Sequence, residues 1–230
     1  MRTQVKIFGY TADQLRQITS DIIGSRAVTV EIDENNLDSS LTIAGAGCDE
    51  REYNFVTSDI LREVKDNLYG EGDATLGKMA VEYLSVRNKK LAVAESVTGG
   101  LIADKIVSVS GASSVFIEGL VTYSNESKIK RLNVMRFTLE SHGAVSYECA
   151  HEMASGLMKN PQSDIALATT GIAGPSGGRV GKPVGLTYIC VMDRYGDKVY
   201  NHIFTGERNS IREQAANTAL FYLINKLKNA

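Results

Sequence analysis

Residues 91–100, LAVAESVTGG, join an apolar run of strand length directly to a polar, hydroxyl-rich turn. Leu91, Val93 and Ala94 read as a buried parallel strand, and after Ser96, Thr98, Gly99 and Gly100 the segment LIADKIV resumes with the apolar spacing of a helix. A strand running into a glycine-bearing helix start places backbone N–H groups and the positive end of a helix dipole beside the Ser96 hydroxyl. Such a junction can cradle a phosphate or an oxyanion. The same residues also fit an ordinary helix N-cap, because Ser and Thr are favoured there and Gly eases the turn. Neither a G-x-S-x-G elbow nor a G-x-x-x-x-G-K-[ST] phosphate loop is present, so the decapeptide needs support from the rest of the chain.

Composition narrows the classes available. With 230 residues, 43% hydrophobic, 23% charged and a formal charge of −2, the chain suits one or two globular domains with a real core. No apolar run approaches the ~20 residues of a membrane span, and the start MRTQVKIFGY lacks the pattern of a secretory signal. A cytoplasmic location without a membrane partner is the expectation. Cys48, Cys149 and Cys190 are odd in number, widely spaced and free of C-x-x-C, which suits reduced core thiols. His142, His151 and His202 show no ligand spacing, and HEMAS carries Ser155 where H-E-x-x-H needs its second His. No metal or other cofactor is expected.

In chain order, QVKIFGY reads as a strand, Thr11 as the cap of helix ADQLRQITSDII, VTVEIDE and SLTIAG as strands about a turn at Asn35 and Asn36, and FVTSDILREVKDNL as a helix. This βαββα order describes a small α+β unit over residues 1–72, closed by a Gly70–Gly72 break. It holds 7 Lys+Arg against 13 Asp+Glu, so an acidic unit without a basic face argues against nucleic acid as a partner. Packing or dimer formation is the expected use. From residue 73 helices and strands alternate: TLGKMAVEYLSVR, LAVAE, Gly99–Val109, FIEGLVTYS, a short helix from Glu126, Tyr147–Lys159, DIALATT, a glycine-rich loop, the strand pair VGLTYICVM and KVYNHIF, and a closing helix Ile211–Lys228 with a Ser210/Glu213 capping box. The fold class predicted is α/β, a mixed sheet with helices on both faces, preceded by the small α+β unit.

Three further polar constellations fall where strands of residues 73–230 end, which is where open α/β sheets bind ligands. Thr122-Tyr123-Ser124-Asn125 leads into Glu126-Ser127-Lys128, with Asn125 placed to cap the short helix. Lys128 lies at the positive end of that helix with Lys130 and Arg131 close by, which favours loss of its proton and a role as a base; a solvated surface lysine is the alternative. The glycines of loop 169–185, TTGIAGPSGGRVGKPVG, suit backbone amides that approach a ligand or turn with positive φ, with Arg179 and Lys182 able to add charge for a phosphate; a flexible connector between strands is the alternative. In FTGERNSIR, Arg208 and Arg212 flank a helix start and suit a carboxylate or phosphate, unless Glu207 or Glu213 pairs with them.

AESVTGG, FIEGLVTYSNESK, SHGAVS, TTGIAGPSGG with KPVG, and FTGERNSIR, in that order, closely resemble the CinA C-terminal domain family, the nicotinamide-nucleotide amidohydrolases. Residues 1–72 look like the KH-like unit that precedes this domain in long members, a match carried by KIFGY and YGEGD. The resemblance implies that the molybdopterin-binding-like domain of those long members, and the ADP-ribose pyrophosphatase activity linked to it, are absent here. It further implies metal-free hydrolysis of the carboxamide of nicotinamide mononucleotide, with Ser96 as nucleophile, Lys128 as general base and Tyr123 close to both. Glu95, Thr98, Gly99, Gly100 and Asn125 then join the substrate site, amides at Thr98–Gly100 serve the oxyanion, and Thr170, Gly171, Gly174, Arg208 and Arg212 hold the ribose phosphate. A nucleotide substrate and a homo-oligomer are the partners implied. Val97 stands where members commonly carry Cys, and Arg179-Val180-Gly181 replaces a more polar loop segment, which bears on substrate affinity. A catalytically inactive nucleotide-binding or oligomerisation module is the competing expectation; a metal-dependent phosphate-ester hydrolase lacks its clustered acidic ligands.

Overall fold

The structure, a computed structural model, describes residues 1–45 and 47–229. It divides into two compact units, Met1–Thr75 and Leu76–Ala230.

The first unit comprises β1 (Arg2–Phe8), α1 (Ala12–Ile23), β2 (Val28–Asn35), β3 (Asp38–Gly45), α2 (Glu50–Glu63) and β4 (Leu68–Glu71). Its sheet runs β2-β3-β1-β4, antiparallel throughout. Thr11 caps α1 in a full capping box with Gln14. Asn36 and Leu37, both at positive φ, close the β2–β3 hairpin. Alternation puts Val5, Ile7, Leu41 and Ile43 on one sheet face, where they pack with Leu15 of α1 and Val56 and Ile60 of α2. The expected Gly70–Gly72 break is corrected here. Helix α2 stops at Glu63, and Leu68–Glu71 forms an edge strand on β1, anchored by buried Tyr69, whose hydroxyl donates to Asp38 Oδ1 at 2.6 Å. Four residues containing a glycine are too short to show a period of two.

The second unit comprises α3 (Leu76–Val86), β5 (Leu91–Glu95), α4 (Leu101–Val107), β6 (Phe116–Val121), α5 (Asn125–Leu132), α6 (Arg136–Ser141), α7 (Tyr147–Leu157), β7 (Ile165–Gly171), β8 (Leu186–Asp193), β9 (Gly196–Ile203) and α8 (Arg208–Lys228). The sheet order is β6-β5-β7-β8-β9, parallel among the first three and antiparallel beyond. Strands β5 and β7 are central and buried on both faces, so they read as continuous apolar runs. Ala92, Ala94, Ala166 and Ala168 face α7 through Cys149, Ala150 and Met153. Alternation turns Leu91, Val93, Ile165 and Leu167 to the opposite face, which α8 covers together with α3 and α4. Gly156 of α7 brings α5 close, because a Cβ there would lie 2.2 Å from Leu132 O. That approach sets the depth at which α5 holds Lys128.

Local starts differ from expectation at four helices. Helix α2 begins at Glu50, capped by Asp49, not at Phe55. The helix after LAVAE begins at Leu101, not Gly99; Gly99 and Gly100 form a left-handed turn before it. Ser124, not Asn125, caps α5, accepting from Ser127 N at 3.1 Å. Helix α8 begins at Arg208 with no side-chain cap: Ser210 Oγ accepts from Gln214 at 2.9 Å, and Glu213 pairs with Lys105 at 2.9 Å, so no Ser210/Glu213 box exists. Helix α6 was not foreseen.

Candidate active site

Parallel strands β5 and β6 bring Glu95 beside Val121, and the two chain segments that leave their carboxyl ends meet. One carries Ser96; the other turns at Tyr123 into α5 and presents Lys128. Lys128 Nζ lies 2.9 Å from Ser96 Oγ, 2.7 Å from Thr122 O and 3.4 Å from Tyr123 O. The side chain is 1% exposed, the largest fully buried side chain of the structure, and Ser96 is 9% exposed. Burial holds the Lys128 amine below the usual lysine range, since the charged form loses its water. Sequence reasoning attributed the same direction to the helix dipole and to Lys130 and Arg131, but both of those are exposed and burial is the larger cause. Cys149 acts on Lys128 in the opposite direction, but burial pushes its thiol up to about 11, so at neutral pH it is uncharged and does little to keep the amine protonated.

Two of the three neighbours of the amine, Thr122 O and Tyr123 O, are carbonyls and can only accept. The Lys128 amine donates to Ser96 Oγ as well; once deprotonated, its two remaining N–H groups suit the two carbonyls and its lone pair the Ser96 hydroxyl. The serine is held in turn through Ser96 N, which donates to Thr169 O at 3.0 Å.

Glu95, expected to touch substrate, is 0% exposed and does not line the cleft. Its carboxylate accepts Gly100 N at 2.9 Å, Ile102 N at 3.2 Å and Ala103 N at 2.9 Å. The anion site at the start of α4 is thus filled from within the chain, and the Gly100 amide is not free for an oxyanion. Among the described residues nothing accepts from the amides of Val97, Thr98 and Gly99, which directly follow the serine. The amides left unbonded in this turn thus lie one residue nearer Ser96 than Thr98–Gly100. Thr98 Oγ1 pairs with Thr169 Oγ1 at 2.8 Å beneath them.

Ser96, Val97, Tyr123, Lys128, Thr170, Gly171 and Arg208, with Ala144, Val145 and Ala173, line a cleft of about 180 Å³. That is below the ~300–1,000 Å³ of a drug-sized site, so it admits one ring-sized group at Ser96 and leaves the rest of a larger ligand along the open rim. Tyr123, 65% exposed, stands at that rim and accepts from Arg208 Nη2 at 3.1 Å. Arg208 Nη1 donates to Gly174 O at 2.6 Å. Arg212 parts from Arg208: its Nη2 donates to Thr98 O at 2.9 Å and lies against Gly99, and it does not line the cleft. Asn125 is exposed and also outside it. Ala144, Val145 and Ala173 were not singled out by sequence reasoning; their only signal was membership of SHGAVS and the glycine loop.

A larger cavity of about 640 Å³ lies at the opposite end of the sheet, lined by Arg87, Lys89, Asp164, Asp193, Arg194 and Lys226 among others. Its cations sit near the ends of α3 and α8, where helix dipoles favour positive charge. Lys226 pairs with Asp193 at 2.8 Å and Arg194 with Asp164 at 3.2 Å. Its lining includes no Ser, Thr or Cys, whereas the smaller cleft sets Ser96 against Lys128. Among the described residues no cluster of His, Cys, Asp and Glu could hold a metal, and no helix is long and apolar enough to cross a membrane.

Residues 73–227 match the CinA C-terminal domain. Proteins named competence-damage inducible protein are similar along most of the chain: one from Clostridium perfringens strain 13 is 38% identical over 97% of this chain and 55% of its own length. Another, from Clostridium botulinum strain Langeland, is 40% identical over 97% and 56%. The chain spans about half the length of these curated relatives. Among solved structures, a CinA superfamily protein from Klebsiella pneumoniae shares 32% identity at a TM-score of 0.64, covering 68% of this chain and 100% of its own. A competence/damage inducible protein from Agrobacterium tumefaciens shares 36% identity at a TM-score of 0.61, covering 66% and 95%. With its serine–lysine cleft lying inside the matched segment, the chain belongs to the CinA C-terminal domain family.

Proposed function

We propose that this chain is an amidohydrolase that converts the carboxamide of nicotinamide mononucleotide to the carboxylate of nicotinate mononucleotide, releasing ammonia. The observation that carries the reading is the buried Lys128 amine 2.9 Å from Ser96 Oγ, with two carbonyls occupying its N–H groups. Neutral Lys128 takes the Ser96 proton as Oγ attacks the carboxamide carbon. The oxyanion so formed meets the amides of Val97, Thr98 and Gly99. Lys128, now an ammonium, returns a proton to the departing nitrogen, and ammonia leaves a nicotinoyl ester on Ser96. Water, deprotonated by the same amine, cleaves that ester and restores the serine.

The cleft supports this order of events. Val97, Ala144, Val145 and Ala173 offer an apolar slot to a pyridine ring, while Arg208 at the rim offers a cation to the phosphate end. Each step moves a proton among Ser96, Lys128, water and the substrate, so none requires a metal.

Incubating the protein with the mononucleotide and assaying ammonia against a Ser96→Ala blank tests the reading. Ammonia released only by the unaltered chain is the expected result. Binding of the mononucleotide without release would make the chain a nucleotide-binding module instead.

A further inference from the structure

The motif SHGAVS has no part in the proton transfers above, yet Ala144 and Val145 form one wall of the cleft. All four consecutive carbonyls of His142–Val145 are taken by side chains. Lys182 Nζ donates to His142 O and, at 2.6 Å, to Val145 O. Ser146 Oγ donates to Gly143 O at 2.9 Å, and Thr170 Oγ1 to Ala144 O at 2.6 Å. Irregular backbone at a surface commonly leaves such groups to water, so complete satisfaction by side chains marks a segment held in one conformation. Gly143 of this segment sits at φ +77, a backbone conformation that L side chains rarely adopt. Lys182 comes from the glycine-rich loop between β7 and β8, where its own backbone is paired with Arg179 by two hydrogen bonds of 2.9 Å. Among the described residues no carboxylate pairs with it.

We propose that Lys182 is a positioning residue: by clamping His142 O and Val145 O it locks the Ala144–Val145 wall and so sets how tightly the cleft holds the acyl part of its substrate. The role rests on the amidohydrolase reading for its consequence but not for the lock itself. The ammonium is spent on carbonyls, so it does not bind the substrate's phosphate, contrary to the expectation from its place in the loop. Lys182 is bonded to neither Ser96 nor Lys128. Its loss therefore acts on ligand fit more than on proton transfer.

Two measurements on the full chain test this. Hydrogen exchange followed by mass spectrometry should show faster exchange at 143–147 in Lys182→Met than in wild type, with Lys182→Arg close to wild type; equal protection in Lys182→Met would overturn the lock. Steady-state hydrolysis of nicotinamide mononucleotide should show KM raised about tenfold in Lys182→Met, the order of one charge-assisted hydrogen bond, with kcat within about threefold and partial rescue by Lys182→Arg. A fall in kcat at constant KM, or no change in either, would overturn the positioning role. If wild type releases no ammonia, the amidohydrolase reading fails on its own, while the exchange comparison still decides whether Lys182 holds the wall.

Discussion

Glu95, the last residue of β5, and Ala103 in α4 are joined by a 2.9 Å hydrogen bond from the Ala103 amide to Glu95 Oε1, while Oε2 takes the amides of Gly100 and Ile102. One buried carboxylate thus ties a strand end to the helix that follows, and Ser96 takes its place from that tie. Replacement by Gln keeps the shape but removes the charge and presents an NH2 group to backbone N–H donors. Glu95→Gln is expected to lower stability by about 1–3 kcal/mol, the cost of a spoiled buried hydrogen-bond site, together with activity. Denaturant melts check the first part, and an unchanged midpoint would contradict it.

Ser96→Ala removes the proposed nucleophile without touching the tie at Glu95. Turnover is expected to fall by about 10³-fold or more, while affinity for the mononucleotide changes little. A variant that kept several per cent of wild-type ammonia release would remove Ser96 from the mechanism.

Lys128 acts as a base only when neutral, and burial lowers its pKa from the ordinary 10.5. Activity is therefore expected to rise with pH along a limb centred below 10.5 and to level off above it. Arg cannot lose its proton in this range, so Lys128→Arg is expected to collapse kcat as far as Lys128→Ala does. Near-normal kcat with a raised KM in Lys128→Arg would falsify the base role.

The same amine links stability to pH. With its pKa lowered by folding, the folded chain binds fewer protons at Lys128 than the unfolded chain between the lowered pKa and 10.5. Across that window the burial penalty is relieved as pH rises, and below both values it is present in full. The stability of wild type relative to Lys128→Met, which does not titrate there, is expected to increase with pH in that window. Parallel melts at several pH values measure it; a flat difference would mean that burial leaves the amine unperturbed.

Every residue of the cleft lies beyond Thr75, and the Klebsiella pneumoniae structure is matched over its whole length by 68% of this chain. Removal of residues 1–75 is expected to leave a folded chain that still hydrolyses the mononucleotide. A folded but inactive product, judged by circular dichroism and ammonia release, would assign the first unit a part in the chemistry.

Much of the fold was legible in short patterns. The apolar runs LAVAE and DIALATT identify central strands because both their faces are covered. Thr11 reads as a cap directly before an apolar helical pattern, and the structure adds Gln14 to complete a capping box. What was misread lacks such local signals. Strand β4 is four residues long, α6 six, and the start of α8 is set by packing, since its first residues make no side-chain cap.

The sequence by itself determined the order of the elements apart from β4 and α6, the family motifs and the residue types able to do chemistry at Ser96 and Lys128, because each follows from local periodicity or a contiguous string of residues. Only the tertiary structure decided that Glu95 serves α4, that Arg212 parts from Arg208 to hold Thr98, and that Lys182 grips His142 and Val145. These choices depend on which donor reaches which acceptor once segments from 8 to 114 residues apart are folded together. Charged side chains of one type look alike in sequence; their partners are chosen by distance and burial, and those exist only after the sheet has assembled.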